Sequence, residues 1–388
     1  MKLSILLAVP LLVGVLRSPA VADVTLVNKG KAQCAIYVAP RVMAEDKKLP
    51  GTPSFLETQA EEQRRRLRES VKDLALYLRK MSGATIPVLQ RAPQKNDKGV
   101  SILIGEVATQ NFGPVGKKAP FQQAWRLTVT KNALGLQGES DESASYAIYE
   151  VLDRLGCRWF VPGAIGESVP RQSTLALAET DVSSVPSTLA RNIWYPDPAS
   201  DFARRNRLTP MKIKAEHALE FYITAEQRQQ HPEWRAIVDG KPSEKRLKWS
   251  NPEVANAIGD AIIARLDKNY QPSVSISPDD GVGFDESAGD RALDAGDFDP
   301  SMNQISITDR YIVLCNRIAE RVTQKYPDVR LGFLAYVQYT RPPVREKLHP
   351  NLVPEIAPIT YCRAHAMTDT AVCPSRPQLR EIVEGWAK

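Results

Sequence analysis

The 388-residue chain lacks the short signatures that announce several common chemistries. It has no glycine-rich phosphate loop, no HExxH zinc helix and no GxSxG nucleophile elbow, so nucleotide-dependent, zinc-protease and serine-hydrolase readings have no support. Its five cysteines, Cys34, Cys157, Cys315, Cys362 and Cys373, never fall at CxxC spacing. That argues against a zinc or dithiol redox motif, and neither a metal nor a cofactor is expected. Neither sign of charge dominates, with 51 Lys and Arg against 45 Asp and Glu. No basic run is interleaved with aromatics, and Arg64-Arg65-Arg66 reads as the solvated face of a helix, so nucleic acid is not an expected partner. The hydrophobic share of 43% suffices for more than one core in a chain of this length.

Long apolar runs are equally scarce. One extends from Leu3 to Leu16, behind Lys2, and Ala20-Val21-Ala22 stands just ahead of Asp23. The run is too short to span a bilayer comfortably, and its small-x-small ending fits a signal-peptidase site. Residues 1–22 therefore read as a signal peptide, with export to the periplasm or the exterior and a mature chain from Asp23. A retained anchor is the alternative, which Arg17 and Pro19 oppose. No integral membrane span is expected in the remainder. Without Lys2 and Arg17, 49 basic residues face 45 acidic ones and the formal excess falls from +6 to +4. In an oxidising compartment the odd cysteine count leaves at least one thiol outside any intramolecular pair. A Cys362–Cys373 bridge, with ten residues between, stays open.

The rest of the chain is an alternation of short β-prone and longer helical stretches. Val24–Val27, Cys34–Val38, Ile86–Leu89, Val100–Ile104, Trp125–Thr130 and Leu134–Gln137 read as strands, the last two joined as a hairpin. Helices are expected over Phe55–Met81, where Leu67, Val71, Leu74 and Leu78 recur at helical spacing, and over Glu142–Leu155. This gives an α/β accessory domain over 23–180, in which Thr174–Pro186 reads as a connector. Over 181–388 the rhythm becomes strand, loop, helix. Strands are expected at Leu189–Tyr195, Ala218–Ile223, Ser273–Ser277, Arg330–Val337 and Ala357–Cys362. Helices are expected at Pro252–Leu266, capped by Asn251, at about 305–325 and at Gln378–Lys388. Such alternation builds a parallel sheet, and the fold class expected is α/β: a small N-terminal domain followed by a (β/α) TIM-type barrel. About five strands are visible where eight are needed, so the barrel is expected to be incomplete in this chain.

Four stretches carry a resemblance to known families. In "ESASYAIYEVLDRLGCRWFVPGAIGESVP" (142–170) a helix leads into an LGxRWFxPG pattern. It resembles the accessory domain that precedes the barrel in family 67 α-glucuronidases and family 20 hexosaminidases. "HPEWRAIVDGK" (231–241), "WSNPEV" (249–254) and "SISPDDG" (275–281) together resemble the domain of unknown function 4838. Its characterised branch is glycoside hydrolase family 163, endo-β-N-acetylglucosaminidases acting on N-glycans. There are departures. Members usually have asparagine where Asp279 stands and a CxC-type cluster soon after, where this chain reads Phe284-Asp285-Glu286-Ser287. Members also continue well past this length.

The resemblance implies a glycan or oligosaccharide substrate, and Asp279-Asp280 is the pair to which it points. Glycoside hydrolysis needs one carboxylic acid to protonate the leaving oxygen and a second group to meet the developing oxocarbenium ion. With a 2-acetamido substrate, the amide oxygen itself serves as nucleophile. Adjacent carboxylates in a low-dielectric cleft cannot both ionise cheaply, which would raise one pKa towards that of an acid catalyst. Asp280, at the position matching the family pattern, is expected as acid/base, Asp279 as the residue that orients or tunes it, and Glu286 as reserve. The acid role requires the residue 280 carboxyl to open into a sugar-sized pocket at the rim where strands end. Against this, proline, aspartate and glycine also make ordinary turns. The acidic loop of Asp285, Asp290, Asp294, Asp297 and Asp299 lacks EF-hand spacing. His217, His231, Trp234, Trp194, Tyr336, Tyr339, Arg363 and His365, at strand ends, are the expected substrate contacts, each aromatic having core packing as its alternative. Three functions remain: an exported hydrolase of N-acetylglucosaminyl linkages, an α-glucuronidase-like enzyme with Arg363 clamping the uronate, and an inactive, truncated carbohydrate-binding remnant.

Overall fold

The computed structural model describes residues 23–49, 51–193, 197, 200–209, 211–369 and 371–388; the expected signal peptide, Trp194 and Tyr195 lie outside them. The chain divides into two compact units, one of residues up to 48 and 60–210, the other of 49–59 and 211–388.

In the first unit a six-stranded mixed sheet runs in the order Thr180–Ser184, Trp125–Thr130, Ala133–Gly138, Val100–Ile104, Cys34–Tyr37, Val88–Leu89. The helix Phe55–Ser82, through its residues from Ala60 on, and the helix Asp141–Arg154 bury apolar stripes against a shared core. Leu67, Val71, Leu74 and Leu78 come from the former, Tyr146, Tyr149, Val151 and Leu152 from the latter. Ser140 starts the second helix with a capping box: its hydroxyl accepts the Ser143 N–H (3.2 Å) and its own N–H reaches the Ser143 hydroxyl (2.9 Å).

The expected connector at 174–186 is instead two strands. Leu175–Ala178 pairs with Asp23–Asn28, and Thr180–Ser184 with Trp125–Thr130. Leu175 and Leu177 point inward while the small residues between them do not. That period-2 signal is only two leucines long, and alanine and serine dilute it.

The second unit is built on three consecutive parallel strands, Ser273–Ser275, Arg330–Tyr336 and Leu352–Ala357. The helices Pro252–Lys268 and Thr308–Thr323 connect them and bury Ile258, Ile262, Ile312, Ile318 and Val322 with Leu331 and Phe333. Gly259 lets these helices approach, since a Cβ there would lie 2.7 Å from Arg321 Cγ. Asn251 caps the first helix through its bond from the Glu253 N–H (2.9 Å), as its sequence predicts.

Three of the five expected strands in this part of the sequence are corrected. Residues 189–193 are not in a strand. Ala218–Ile223 holds a 3₁₀ turn, Leu219–Tyr222, because Leu219 and Tyr222 are spaced to bury on one side of such a turn. The sheet neighbour lies just before it: Lys214 N–H bonds Ser273 Oγ (3.0 Å), His217 and Ser277 form a parallel bridge, and the Ala218 N–H bonds Ser277 O (2.9 Å). The third correction moves the strand expected at 357–362 to Leu352–Ala357. Pro354 and Glu355 disguise it, and both are tolerable because it is the outer member of the described sheet.

Candidate functional site

The carboxyl-terminal ends of these parallel segments bring together side chains from three of them. His217 ends the first, Asp280 follows Ser273–Ser275 by a short loop, and Tyr336 is the last residue of Arg330–Tyr336. His217 Nδ1 lies 2.5 Å from the Pro278 carbonyl oxygen, which fixes the ring so that Nε2 faces Asp280 Oδ1 at 3.9 Å. The Tyr336 ring tilts over that imidazole at 6.0 Å between centroids. Its phenol pKa is raised, first by burial and then by the charge of Asp280 and the hydrogen bond to it. The Gly281 N–H also bonds Asp280 Oδ1 (2.9 Å), and Gly281, at φ +108°, holds the left-handed turn that keeps the carboxyl outward.

The two adjacent carboxylates do not share one environment. Asp279 turns inward to Lys245 Nζ, 3.2 Å away. Asp280 turns outward, and its side chain is 70% exposed. It stands at the rim of the sheet as expected but is not enclosed.

A buried ion pair beneath the turn, formed by residues not anticipated from the sequence, fixes its backbone. Glu220 Oε2 accepts the Asp279 N–H (2.6 Å) and Glu220 Oε1 the Arg246 guanidinium (3.2 Å). Arg246 in turn donates to the carbonyl oxygens of Asp279 (2.8 Å) and Asp280 (3.3 Å), and its guanidinium lies 4.6 Å from the Phe284 ring centre. Burial pushes the Glu220 carboxyl above the ordinary carboxylate range, against the pull of the Asp279 N–H and Arg246. The available signal was a glutamate inside the apolar run Ala218–Ile223, where a buried charge demands a partner. Nothing in the sequence names Arg246 as that partner.

The other expected site residues have different surroundings. Tyr339 is buried in the aromatic core, 5.0 Å from Tyr311 and 5.8 Å from Phe284 between ring centres, so core packing accounts for it. Glu286 anchors the loop to the turn of the Arg235–Val238 and Lys241–Leu247 hairpin, accepting the Gly240 N–H at 3.3 Å. His231 stacks flat on Trp234 (4.0 Å, 7°), and the buried indole N–H reaches Glu253 at the helix start (3.2 Å), the arrangement of a loop anchor. Arg363 and His365 are exposed, and His365 Nδ1 faces Cys362 Sγ at 3.2 Å. Trp194 is outside the described residues. In the acidic loop Asp285 accepts the Ile237 N–H, Asp290 the N–H groups of Trp249 and Ser250, Asp294 the Arg310 guanidinium, and Asp297 that of Arg341. These are protein contacts sufficient to explain an acidic segment.

Among the described residues two groups bring three metal-type ligand atoms within 4.8 Å of one another: His231, Glu233 and Glu253, and Cys362, His365 and Cys373. All five cysteines are free thiols. No helix among the described residues is long and apolar enough to cross a membrane.

The family described as "Domain of unknown function (DUF4838)" matches residues 161–388. A search of curated proteins finds no match. Similar solved structures include an N-acetyl-β-hexosaminidase of Streptomyces plicatus (12% identity, TM-score 0.31, covering 84% of this chain and 58% of that one). A chitobiase of Flavobacterium johnsoniae matches at 11% identity and TM-score 0.37, covering 86% of this chain and 53% of that one. A family GH115 4-O-methyl-α-glucuronidase with specificity for decorated arabinogalactans matches at 15% identity and TM-score 0.38, covering 81% and 43%. The chain thus spans about 58% or less of the length of these three.

Proposed function

The chain belongs to the family described as Domain of unknown function (DUF4838), and from that premise we propose that it is an exported, glycoside hydrolase-like protein acting on glycans at N-acetylglucosaminyl linkages. The observation that carries the reading is the convergence of His217, Asp280 and Tyr336 at the carboxyl-terminal ends of neighbouring parallel segments. Side chains at that edge of a parallel α/β sheet are the ones free to meet a ligand, because the other positions are occupied by crossover helices. The three parallel strands and the 214–217 segment are, on this reading, consecutive members of a (β/α) barrel.

Asp280 is the acid that protonates the leaving oxygen. The substrate's own acetamido oxygen attacks the anomeric carbon as the glycosidic bond breaks, and water later opens the resulting oxazoline with Asp280 as base. His217 Nε2 and the Tyr336 hydroxyl hold the Asp280 carboxyl and the sugar's polar groups in register. Asp279 is a positioning residue, since Lys245 takes its carboxylate and the Glu220–Arg246 pair its backbone. In the free protein Asp280 is solvated, so the covering sugar must supply the desolvation that an acid role needs.

The test is release of a reducing N-acetylglucosamine end from an N-glycan by the purified full chain. General acid catalysis contributes about 10²–10⁴-fold, so Asp280→Asn should lower turnover by at least about 10²-fold. Undiminished turnover in that variant rejects the assignment. The 70% exposure of Asp280 favours a second reading, glycan binding without hydrolysis. That reading predicts saturable binding of the same glycan, weakened by Asp280→Ala, with no reducing end released. An α-glucuronidase activity would instead release a uronic acid and would depend on Arg363. Export is tested by fractionation and by an amino terminus at Asp23.

A further inference from the structure

The carboxyl-terminal segment carries a cluster that the proposed hydrolysis does not use. Cys362 and His365 lie on the loop beyond the strand Leu352–Ala357, and Cys373 comes just before the last helix, Ser375–Trp386. The two sulfurs and the His365 nitrogen all lie within 4.8 Å of one another, with Cys362 Sγ 3.2 Å from His365 Nδ1. We propose that Cys362, His365 and Cys373 form a zinc(II) site that fastens this loop to the last helix.

The ligand chemistry selects the ion. Two thiolates and an imidazole are soft to borderline donors, which suit zinc and do not suit magnesium or calcium. A tetrahedral zinc, with bonds of about 2.3 Å to sulfur and about 2.1 Å to nitrogen, puts its ligand atoms roughly 3.5–3.8 Å apart. The three atoms already stand near that spacing, so small rotamer adjustments complete the shell, with solvent in the fourth position. On binding, the two thiols give up their protons to water and each sulfur forms one bond to the metal.

The surroundings fit a bound thiolate. The backbone N–H groups of Ala364 and His365 point at Cys362 Sγ, and the Arg376 cation lies nearby. Ser375 Oγ accepts the Cys362 N–H at 3.0 Å and stands 3.5 Å from Cys373 Sγ, so the first turn of the helix is already tied to both cysteines.

The segment also has little else to hold it. Its apolar cluster consists of Tyr361, Leu379 and Ile382, with Ile356 and Trp386 packed partly against them. From 358 to 374 the described chain has no helix or strand. Where apolar burial is this small, a metal is one of the few available ways to offset the entropy of ordering the loop. The Cys-x₂-His-x₇-Cys spacing escapes a search for CxxC pairs because a histidine replaces the second cysteine and the third ligand is distant.

The experiment uses the purified full chain, reduced, stripped with chelator and titrated with zinc(II) or cobalt(II). The expected result is one zinc retained per chain through desalting. Cobalt should give a thiolate charge-transfer band in the near ultraviolet and the visible bands of a tetrahedral ion. Zinc should slow proteolytic cleavage after residue 357. His365→Asn, at an exposed position that should fold normally, and Cys362→Ser should each lower zinc affinity at least tenfold and weaken the cobalt bands, whereas His231→Asn should leave both unchanged. A Cys362–Cys373 disulfide in air-exposed protein, with zinc uptake restored on reduction, supports the site. Failure of the reduced wild-type chain to retain zinc, or equal retention by wild type, His365→Asn and Cys362→Ser, overturns it. Neither result bears on Asp280.

Discussion

Arg246→Met is the most informative single substitution outside the proposed chemistry. It removes the partner of a buried carboxylate, Glu220, together with the two bonds that hold the carbonyls of Asp279 and Asp280. Breaking a buried ion pair from one side costs about 3–5 kcal/mol, because the remaining charge is stranded. For a unit of this size a kcal/mol corresponds to about 2–4 °C, so the melting of the second unit should fall by roughly 6–20 °C. The pH dependence gives a sharper check. Burial already raises the folded-state pKa of Glu220 above its ordinary value, and Arg246 is one of the groups holding it down. A raised carboxylate contributes its full stability below its unfolded pKa and loses it as pH rises through the folded one. Without Arg246 that folded pKa climbs further, so the deficit should be largest at about pH 7.5 and shrink towards about pH 5. Denaturant titrations at both values measure it. Replacing both partners, in Glu220→Leu/Arg246→Met, should recover about 1–4 kcal/mol of the loss. A cost below about 1 kcal/mol, the value of an exposed pair, would refute the argument. So would a deficit that is the same at both pH values.

Other expectations follow from the same structure. Asp73 is buried between Arg204 and Arg205 and accepts the Tyr149 hydroxyl; burial pushes its pKa up, but these partners outweigh it and the net shift is down. Its contribution is therefore present above the unfolded aspartate pKa and lost as pH falls, and Asp73→Asn should cost the first unit about 3–5 kcal/mol at neutral pH, read by chemical denaturation. Gly332→Ala would place a methyl 2.2 Å from the Lys214 carbonyl oxygen, prising the 214–217 segment from the sheet, and should cost at least about 1–3 kcal/mol in a melting experiment. Tyr336→Phe removes a hydrogen bond to the Asp280 carboxylate, worth about 1.5–3 kcal/mol, and should lower kcat/KM on a glycan substrate by roughly 10- to 100-fold. Glu286→Gln touches only the hairpin anchor and should leave that rate unchanged.

What the sequence determined by itself is mainly local. Helical spacing placed Phe55–Ser82 and Asp141–Arg154 to within a residue, Asn251-Pro252 announced its helix, and Arg330–Tyr336 was visible as a strand, because each pattern is written in consecutive residues. Four ordered motifs also sufficed for the family. The Asp279-Asp280 pair was visible, but only tertiary structure decided that its two carboxyls part, one inward to Lys245 and one outward to His217 and Tyr336. Glu220 and Arg246 lie 26 residues apart and neither belongs to a motif, so their pairing was invisible until the chain folded. Strands such as Leu175–Ala178 and Leu352–Ala357 are held by partners far along the chain. Strand pairing and charge pairing are contacts in space, and spacing along one chain records only those that the local backbone itself brings about.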